Sequence, residues 1–263
     1  MKTVFKICFL GAGNLATHLS KVLKSLGHNI LQVYSRTETA ANELALALQA
    51  DPITDMSLLS PEADVYICSL KDAALADQLA RVPHFGKALW LHTSGSLPMS
   101  VFEPYTQRCG VFYPLQTFSK QRPVDFAHIP FCLEAKQEAD LCLMRELALQ
   151  LSDDVREMSS EQRQNLHVAA VFACNFTNSL YAAAQEILTY DNIDFSILRP
   201  LIMETAAKVL DNDPAAVQTG PAVRMDRNVT DKHMAWLETR GENAKAALYE
   251  TMSQMIYERS KKQ

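Results

Sequence analysis

Short, almost wholly apolar runs alternate with longer stretches in which apolar residues return every three or four positions. This alternation fills the first half of the chain. The runs Val4–Leu10, Ile30–Tyr34, Asp64–Leu70, Ala88–His92, Gly110–Tyr113 and Pro130–Glu134 predict strands, and Pro52-Ile-Thr a short strand or turn. Between them, Asn14–Leu26 predicts a helix with Leu15, Leu19, Val22, Leu23 and Leu26 on one face, closed by Gly27. Glu38–Leu48 and Asp72–Ala80 predict two more. Strands this apolar, alternating with helices, predict an α/β fold whose parallel sheet is covered on both faces.

From about Glu138 only the helical period remains. Glu138–Leu151, Ser160–Thr189, Asp194–Leu210, Thr230–Thr239 and Glu242–Tyr257 predict helices, Pro214–Gln218 predicts a short turn of helix, and no later run reads as a strand. The expected organisation is therefore an α/β domain over residues 1–135 and an all-helical domain over 136–263. Leu166–Ile187 is alanine-rich but interrupted by His167, Asn175, Thr177, Asn178, Gln185 and Glu186, which suits a packed helix better than a membrane span.

Composition narrows the classes. The 263 residues are 48% hydrophobic and carry a net charge of -5, with no basic face for nucleic acid or an anionic membrane. The apolar opening breaks at Gly11 and reads as a first strand rather than a signal peptide. Cysteines at 8, 68, 109, 132, 142 and 174 form no CxxC pair, which predicts a reduced, cytoplasmic protein without a structural metal.

The turn Gly11-Ala12-Gly13-Asn14-Leu15-Ala16 follows the first strand and opens the first helix. In this setting the first glycine permits the turn, the second admits a phosphate close to the backbone, and a small third residue allows helix–strand packing. A dinucleotide is the expected ligand, with its pyrophosphate at the helix N-terminus. Where an NAD site usually has an acidic residue, the second strand ends in Tyr34-Ser35-Arg36-Thr37. Ser35 and Thr37 offer hydroxyls and Arg36 a guanidinium to a 2′-phosphate, so NADP (NADPH) is expected before NAD; Arg36 also reads as a solvated loop charge. Ser69, Leu70 and Lys71 follow the central strand and are expected along the cofactor, although Lys71 also reads as a surface residue of a first helical turn.

His92-Thr93-Ser94-Gly95-Ser96 lies just beyond a strand's carboxyl end, where open parallel sheets bind ligands. His92 and Thr93 are expected beside the cofactor, and Ser94 beside a polar substrate. Without a GxSxG elbow Ser94 is a poor nucleophile, and the segment also reads as a capped turn. Tyr113 and Gln116 are placed to line a cleft; Tyr113 reads equally as a packed boundary aromatic. In the long helix His167 is the best proton donor and Asn175 the best orienter, set about 80° apart on an ideal helix, against a reading in which both are satisfied in a helical interface. Arg224 is placed to hold a substrate carboxylate or phosphate, with Asp226 orienting it or capping the next helix, on which His233 lies. The histidines at 18, 28, 84 and 128 suggest no role.

These stretches together resemble the Rossmann-like proteins with a C-terminal domain of unknown function, DUF2520, relatives of pyrroline-5-carboxylate reductase, ketopantoate reductase and the F420-dependent NADP oxidoreductases. The resemblance spans the whole chain and rests on Gly11–Ala16, His92–Ser96, Tyr113–Phe118, His167–Ala170 with Asn175, Thr219-Gly-Pro221 with Arg224 and Asp226, and His233. It implies an NADP-binding domain followed by a helical domain like the 6-phosphogluconate dehydrogenase C-terminal fold, a homodimer through that domain, and a cofactor cleft lined by both. It implies no settled reaction. The chain departs from the pattern at Tyr113, where the family often has His, and at Met225, where it often has Gly. Val171 stands where the related β-hydroxyacid dehydrogenases place a lysine four residues before an asparagine, so their lysine mechanism does not carry over.

The leading expectation is an NADP-dependent oxidoreductase moving hydride to or from a C=O or C=N group of a small polar, anionic substrate. Two other classes stay open: an NADP(H)-binding sensor without turnover, and a structural dimer with a vestigial site.

Overall fold

The computed structural model describes residues 3–83 and 85–262; His84 lies outside them. The chain divides into two compact units, Met1–Cys174 and Asn175–Gln263.

In the first unit β1 (Lys6–Leu10), α1 (Asn14–Ser25), β2 (Asn29–Tyr34), α2 (Glu38–Leu48) and β3 (Asp51–Ile53) form one wing. β4 (Val65–Cys68), α3 (Asp72–Leu79), β5 (Leu89–His92), a 3-10 turn at Met99–Phe102 and β6 (Cys109–Pro114) form the other. β7 (Phe131–Ala135), α4 (Glu138–Ala148) and β8 (Val155–Glu157) extend it, giving the order β3-β2-β1-β4-β5-β6-β7-β8. The order reverses between β1 and β4, the crevice where doubly wound sheets bind ligands.

Alternation of side chains across the strands fills both faces. Ile7, Phe9, Val65, Ile67, Leu89 and Leu91 meet apolar faces of α1, α2 and α4, while Cys8, Leu10, Tyr66, Cys68 and Trp90 meet α3 and the Met99–Phe102 turn. Trp90 is fully buried, stacked on Tyr66 at 4.0 Å, and donates from Nε1 to the Phe85 carbonyl at 3.1 Å.

The sheet departs from expectation in two ways. β7 runs antiparallel to β6, so the sheet is mixed rather than purely parallel. β8 is a strand beyond residue 135, pairing parallel with β7. Its Val-Arg-Glu sequence is polar because it is a three-residue edge strand, half exposed and without a full apolar run. The sheet and α4 therefore carry the first unit well past 135, and it ends within the long helix, at Cys174.

That long helix is not uniform. α5 (Ser160–Ala170) opens with a capping box in which the Ser159 hydroxyl accepts from the Gln162 amide and the Gln162 side chain accepts from the Ser159 amide. Val171–Phe176 is a π-helical stretch, and α6 (Thr177–Thr189) resumes the α form. A π turn takes more than 3.6 residues. The 80° angle expected between His167 and Asn175 therefore does not hold across it.

The second unit contains α6, α7 (Arg199–Asp211), a 3-10 turn at Pro221–Arg224, α8 (Arg227–Thr239) and α9 (Asn243–Ser260). Lys245 on α9 bridges Glu186 at 2.8 Å and Glu242 at 2.5 Å, and the Tyr190 hydroxyl donates to Glu242 at 2.7 Å. Among its described residues only Ala222, Thr230, Leu237 and Ala246 are buried. Leu201, Met203 and Leu210 of α7 are 61%, 69% and 82% exposed. No helix among the described residues is long and apolar enough to cross a membrane. The cysteines are free: 8, 68, 109 and 132 are buried, 142 and 174 exposed.

Candidate functional site

The first part of the site is the turn after β1. Gly11 has φ +125°, and its amide donates to the Tyr34 carbonyl at 2.8 Å. A Cβ there would run into the Ser69 carbonyl, so the turns after β1 and β4 can meet only through a glycine. Gly13 is the N-cap of α1, and a Cβ on it would face open space. No side chain caps this helix and no acidic residue lies in its first turn. Its leading amides therefore keep their affinity for an anion. Ala12 is buried, Leu15 packs on the core beneath and Ala16 is fully buried. The arrangement fits a dinucleotide pyrophosphate. Asn14, however, donates from Nδ2 to the Phe118 carbonyl at 2.8 Å, and His18 Nε2 lies 2.9 Å from the Ser119 carbonyl. The segment after β6 is thereby fastened to the first turns of α1.

Beyond β2 the Ser35 hydroxyl accepts from the Thr37 amide at 3.3 Å and lies 3.4 Å from the Thr37 hydroxyl, with Arg36 exposed between them. Beyond β4 the Ser69 hydroxyl meets the Thr93 hydroxyl at 2.8 Å, so adjacent strand ends are tied by a hydroxyl pair. Leu70 packs into the core, and Lys71 is the exposed N-cap of α3.

The segment after β5 is the most constrained. The His92 ring is 1% exposed, stacks on Phe102 at 5.7 Å and accepts from the Ser94 amide through Nδ1 at 3.2 Å. Its Nε2 is buried with no hydrogen-bond partner among the described residues. Burial, reinforced by the nearby Arg163 charge, lowers its pKa to about 3. The imidazole is thus a neutral core group rather than one turned toward a ligand. The Ser94 hydroxyl accepts from the amides of Ser96 and Leu97, each at 3.1 Å, and the Ser96 hydroxyl donates to Asp72. These bonds fix the loop's shape. The exposed Gln116 side chain likewise bonds its own segment, accepting from the Thr117 amide at 2.8 Å.

The loop brings Gly95 against the Tyr113 and His167 rings. A Cβ at Gly95 would lie 2.6 Å from His167 Nδ1 and 2.8 Å from Tyr113 Cζ, so any side chain here would have to displace the two rings. Tyr113, on β6, places its hydroxyl 3.2 Å from His167 Nδ1, with the rings edge to face. Burial raises the Tyr113 pKa to about 12 and keeps the phenol protonated. A phenol that donates to Nδ1 leaves the imidazole proton on Nε2.

Arg163, one turn before His167 on α5, carries no signal in the sequence reading. It is 1% exposed. Its Nη1 meets Glu134 at 2.5 Å, and its Nη2 donates to the Leu97 carbonyl at 2.5 Å and to the Ser160 hydroxyl at 3.2 Å. Ser160 in turn donates to Glu134 at 2.7 Å and accepts from the Met99 amide at 3.0 Å. The features that could have pointed to it are Glu134, an acid closing an apolar strand, and the 163/167 spacing.

In the second unit Asn175 lies exposed in the π stretch and Arg224 is exposed at the end of its 3-10 turn. Asp226 occupies the N-cap of α8 without a side-chain capping bond, and no ion pair joins it to Arg224 among the described residues. His233 Nδ1 lies 2.9 Å from the Tyr249 hydroxyl, which links α8 to α9. Met225 adopts φ +49°, a left-handed conformation that favours glycine. The structure thus brings Gly95, Tyr113 and His167 together within the first unit, with Ser94 bonded within its own loop; Asn175 and Arg224 belong to the second.

The family model for the domain of unknown function DUF2520 matches residues 129–256, and that for coenzyme F420-dependent NADP oxidoreductase matches residues 6–89. No curated protein matches the chain. A solved structure of a candidate NADP oxidoreductase from Bacteroides fragilis is 47% identical, with 97% of this chain and 98% of that one covered and a TM-score of 0.92. A Thermotoga maritima protein is 22% identical, with 97% and 99% covered and a TM-score of 0.81. A reductive aminase from Aspergillus terreus, solved with NADPH and ethyl-5-oxohexanoate, shares the fold at 14% identity and a TM-score of 0.71, with 99% and 95% covered. The chain therefore belongs to the family of the Bacteroides fragilis protein, in which a Rossmann-fold unit is followed by a DUF2520 domain.

Proposed function

We propose that this protein is an NADP(H)-dependent oxidoreductase acting on a C=O or C=N group of a small polar, anionic substrate, with His167 as the proton donor. The observation that carries the reading is the Tyr113–His167 pair, fitted against Gly95 beside the strand ends that also carry the Gly11–Gly13 turn. The uncapped, acid-free N-terminus of α1 and the Ser35–Thr37 turn support NADP(H) as the dinucleotide. The description of the Bacteroides relative supports the same cofactor.

NADPH bound there would supply the hydride. The chain's own part is the proton. Tyr113 donates to Nδ1 and holds the imidazole with its proton on Nε2; Nε2 passes that proton to the oxygen or nitrogen as the carbon is reduced while Nδ1 takes the Tyr113 hydroxyl proton, leaving neutral imidazole and a phenolate that solvent reprotonates. The Ser94 loop supports both rings by fixing Gly95. Asn175 as orienter and Arg224 as anchor of the anionic end are assignments that rest on residue type and position in the sequence.

The exposed apolar residues of α7, and an apolar groove of about 390 Å³ lined by Leu180, Ala184, Ile187, Leu248, Met252 and Ile256, support self-association through the helical unit. We read the assembly as a homodimer in the cytoplasm. Sedimentation of Leu201→Glu tests the assembly, with loss of the dimer expected.

The function is tested in two steps. Calorimetric titration with NADPH and NADH should show preferential binding of NADPH. A screen of small keto and imino acids, read by NADPH absorbance, should then find turnover that falls at least 100-fold in His167→Gln while NADPH binding persists. Turnover unchanged in that variant would remove His167 as the donor. Tight NADPH binding without any turnover would favour the sensor reading.

A further inference from the structure

We propose that Arg163 is a positioning residue, clamping α5 to the β5 loop and to β7 so that His167 meets the Tyr113 hydroxyl in one fixed tautomer. The proposal rests on His167 being the proton donor and names the device that holds it.

Three chain segments converge on this guanidinium. Nη1 holds the Glu134 carboxylate at the end of β7, while Nη2 holds the Leu97 carbonyl, two residues past Gly95. The helix it grows from carries His167 four residues later, on the same face. The Ser160 hydroxyl closes the ring by bonding Glu134, Arg163 and the Met99 amide. Tyr113 is set by β6, whose partner β7 carries Glu134. The contact surfaces of the acid site, namely the loop, the tyrosine strand and the histidine helix, are thus referred to a single buried fork.

The energetics favour a specialised purpose. A buried ion pair rarely adds net stability over an apolar substitute, whereas removing one partner leaves a costly unpaired charge. Arg163 also keeps Nε buried with no hydrogen-bond partner among the described residues, so the fork is not optimised for its own satisfaction. Its return is geometric: a planar fork fixes direction as well as distance, which an ammonium cannot do. The fit at Gly95 has little slack, because the Tyr113 and His167 rings already occupy the space of a methyl group. A small drift of α5 would lengthen the 3.2 Å Tyr113–His167 bond and free the imidazole to exchange tautomers.

The test is imidazole ¹⁵N NMR of the full-length protein, with His167 assigned by its loss in His167→Gln. In the parent protein the Nε2–H form should outweigh Nδ1–H by at least tenfold. Tyr113→Phe should bring that ratio near the value of free imidazole. Arg163→Met should lower it at least threefold while far-UV circular dichroism and a cooperative thermal transition persist, and Arg163→Lys should recover only part of the loss. Should Arg163→Met fail to fold, Ser160→Ala carries the test through the same ring with a milder change. A parental ratio in folded Arg163→Met, or in Ser160→Ala where the former does not fold, with Tyr113→Phe still effective, overturns the clamp alone. A parent protein without Nε2–H preference, or an ineffective Tyr113→Phe, overturns instead the reading of the Tyr113–His167 pair on which the clamp depends.

Discussion

The two units solve the problem of apolar surface in opposite ways. In the first, every described side chain of β4, β5 and β6 is buried, and helices close both faces of the sheet. In the second, α7 has no buried residue and its leucines and methionine face outward. A sheet with two covered faces completes its core within one chain. A set of helices this sparsely packed does so only with further surface from elsewhere. The difference teaches that chemistry requiring ångström precision is best sought in the first unit, and association in the second.

The largest expected effect that would break this comparison is in the first core. Trp90→Ala removes a fully buried indole and should destabilise the protein by about 3–5 kcal/mol in chemical unfolding. A loss under about 1 kcal/mol would mean the first core is no better packed than the second.

Acid provides the next test. The His92 imidazole titrates near pH 3 when folded against an ordinary value of 6.5. The unfolded chain takes up this proton before the folded chain does, so the stability His92 contributes is present above pH 6.5 and is lost as pH falls toward 3. Unfolding free energy should drop by up to about 1.4 kcal/mol per pH unit in that window from this group. His92→Gln should have the shallower slope, whatever its stability at neutral pH. Equal slopes would place His92 in water rather than in the core.

A gain, not a loss, is expected in the second unit. Met225 holds a left-handed conformation, and Met225→Gly relieves it at the cost of a more flexible unfolded chain. Thermal unfolding should show a net gain of roughly 0.5–1 kcal/mol. No gain would mean that the methionine side chain offsets the strain by packing.

The smallest effect sharpens the contrast most. Leu210→Ser, at a position 82% exposed, should change stability by under about 0.5 kcal/mol in dilute protein. A penalty that grows with protein concentration would show that a second copy covers α7.

The fold was legible where burial is two-sided, because continuous apolar runs and glycine turns carry that information locally. β1, β2, β4 and β5 fall within two residues of their expected bounds. Strand direction was not legible: Phe131–Ala135 is as apolar as its parallel neighbours, and the connection that precedes it carries no crossover helix. β8 was hidden by Arg156 and Glu157, tolerable only at an edge. The π stretch was hidden because its residues suit an α-helix equally well. At the candidate site, His167, Tyr113 and Ser94 were singled out by type and position, but the contact of Tyr113 with His167 across 54 positions was not legible. Arg163 was missed because Ser160-Glu-Gln-Arg-Gln looks like a solvated face, and its burial depends on a carboxylate 29 positions earlier. His92 was read as facing a ligand because a histidine at a strand's end suggests function; Phe102, ten residues on, encloses it.

The fastening of Asn14 to the Phe118 carbonyl joins positions 104 apart in sequence. The helix turn that would receive a pyrophosphate is thus coupled to a segment that hydrogen exchange can follow independently. Slower amide exchange over residues 115–122 on adding NADPH would report arrival at the glycine turn, even for a substrate that has yet to be found.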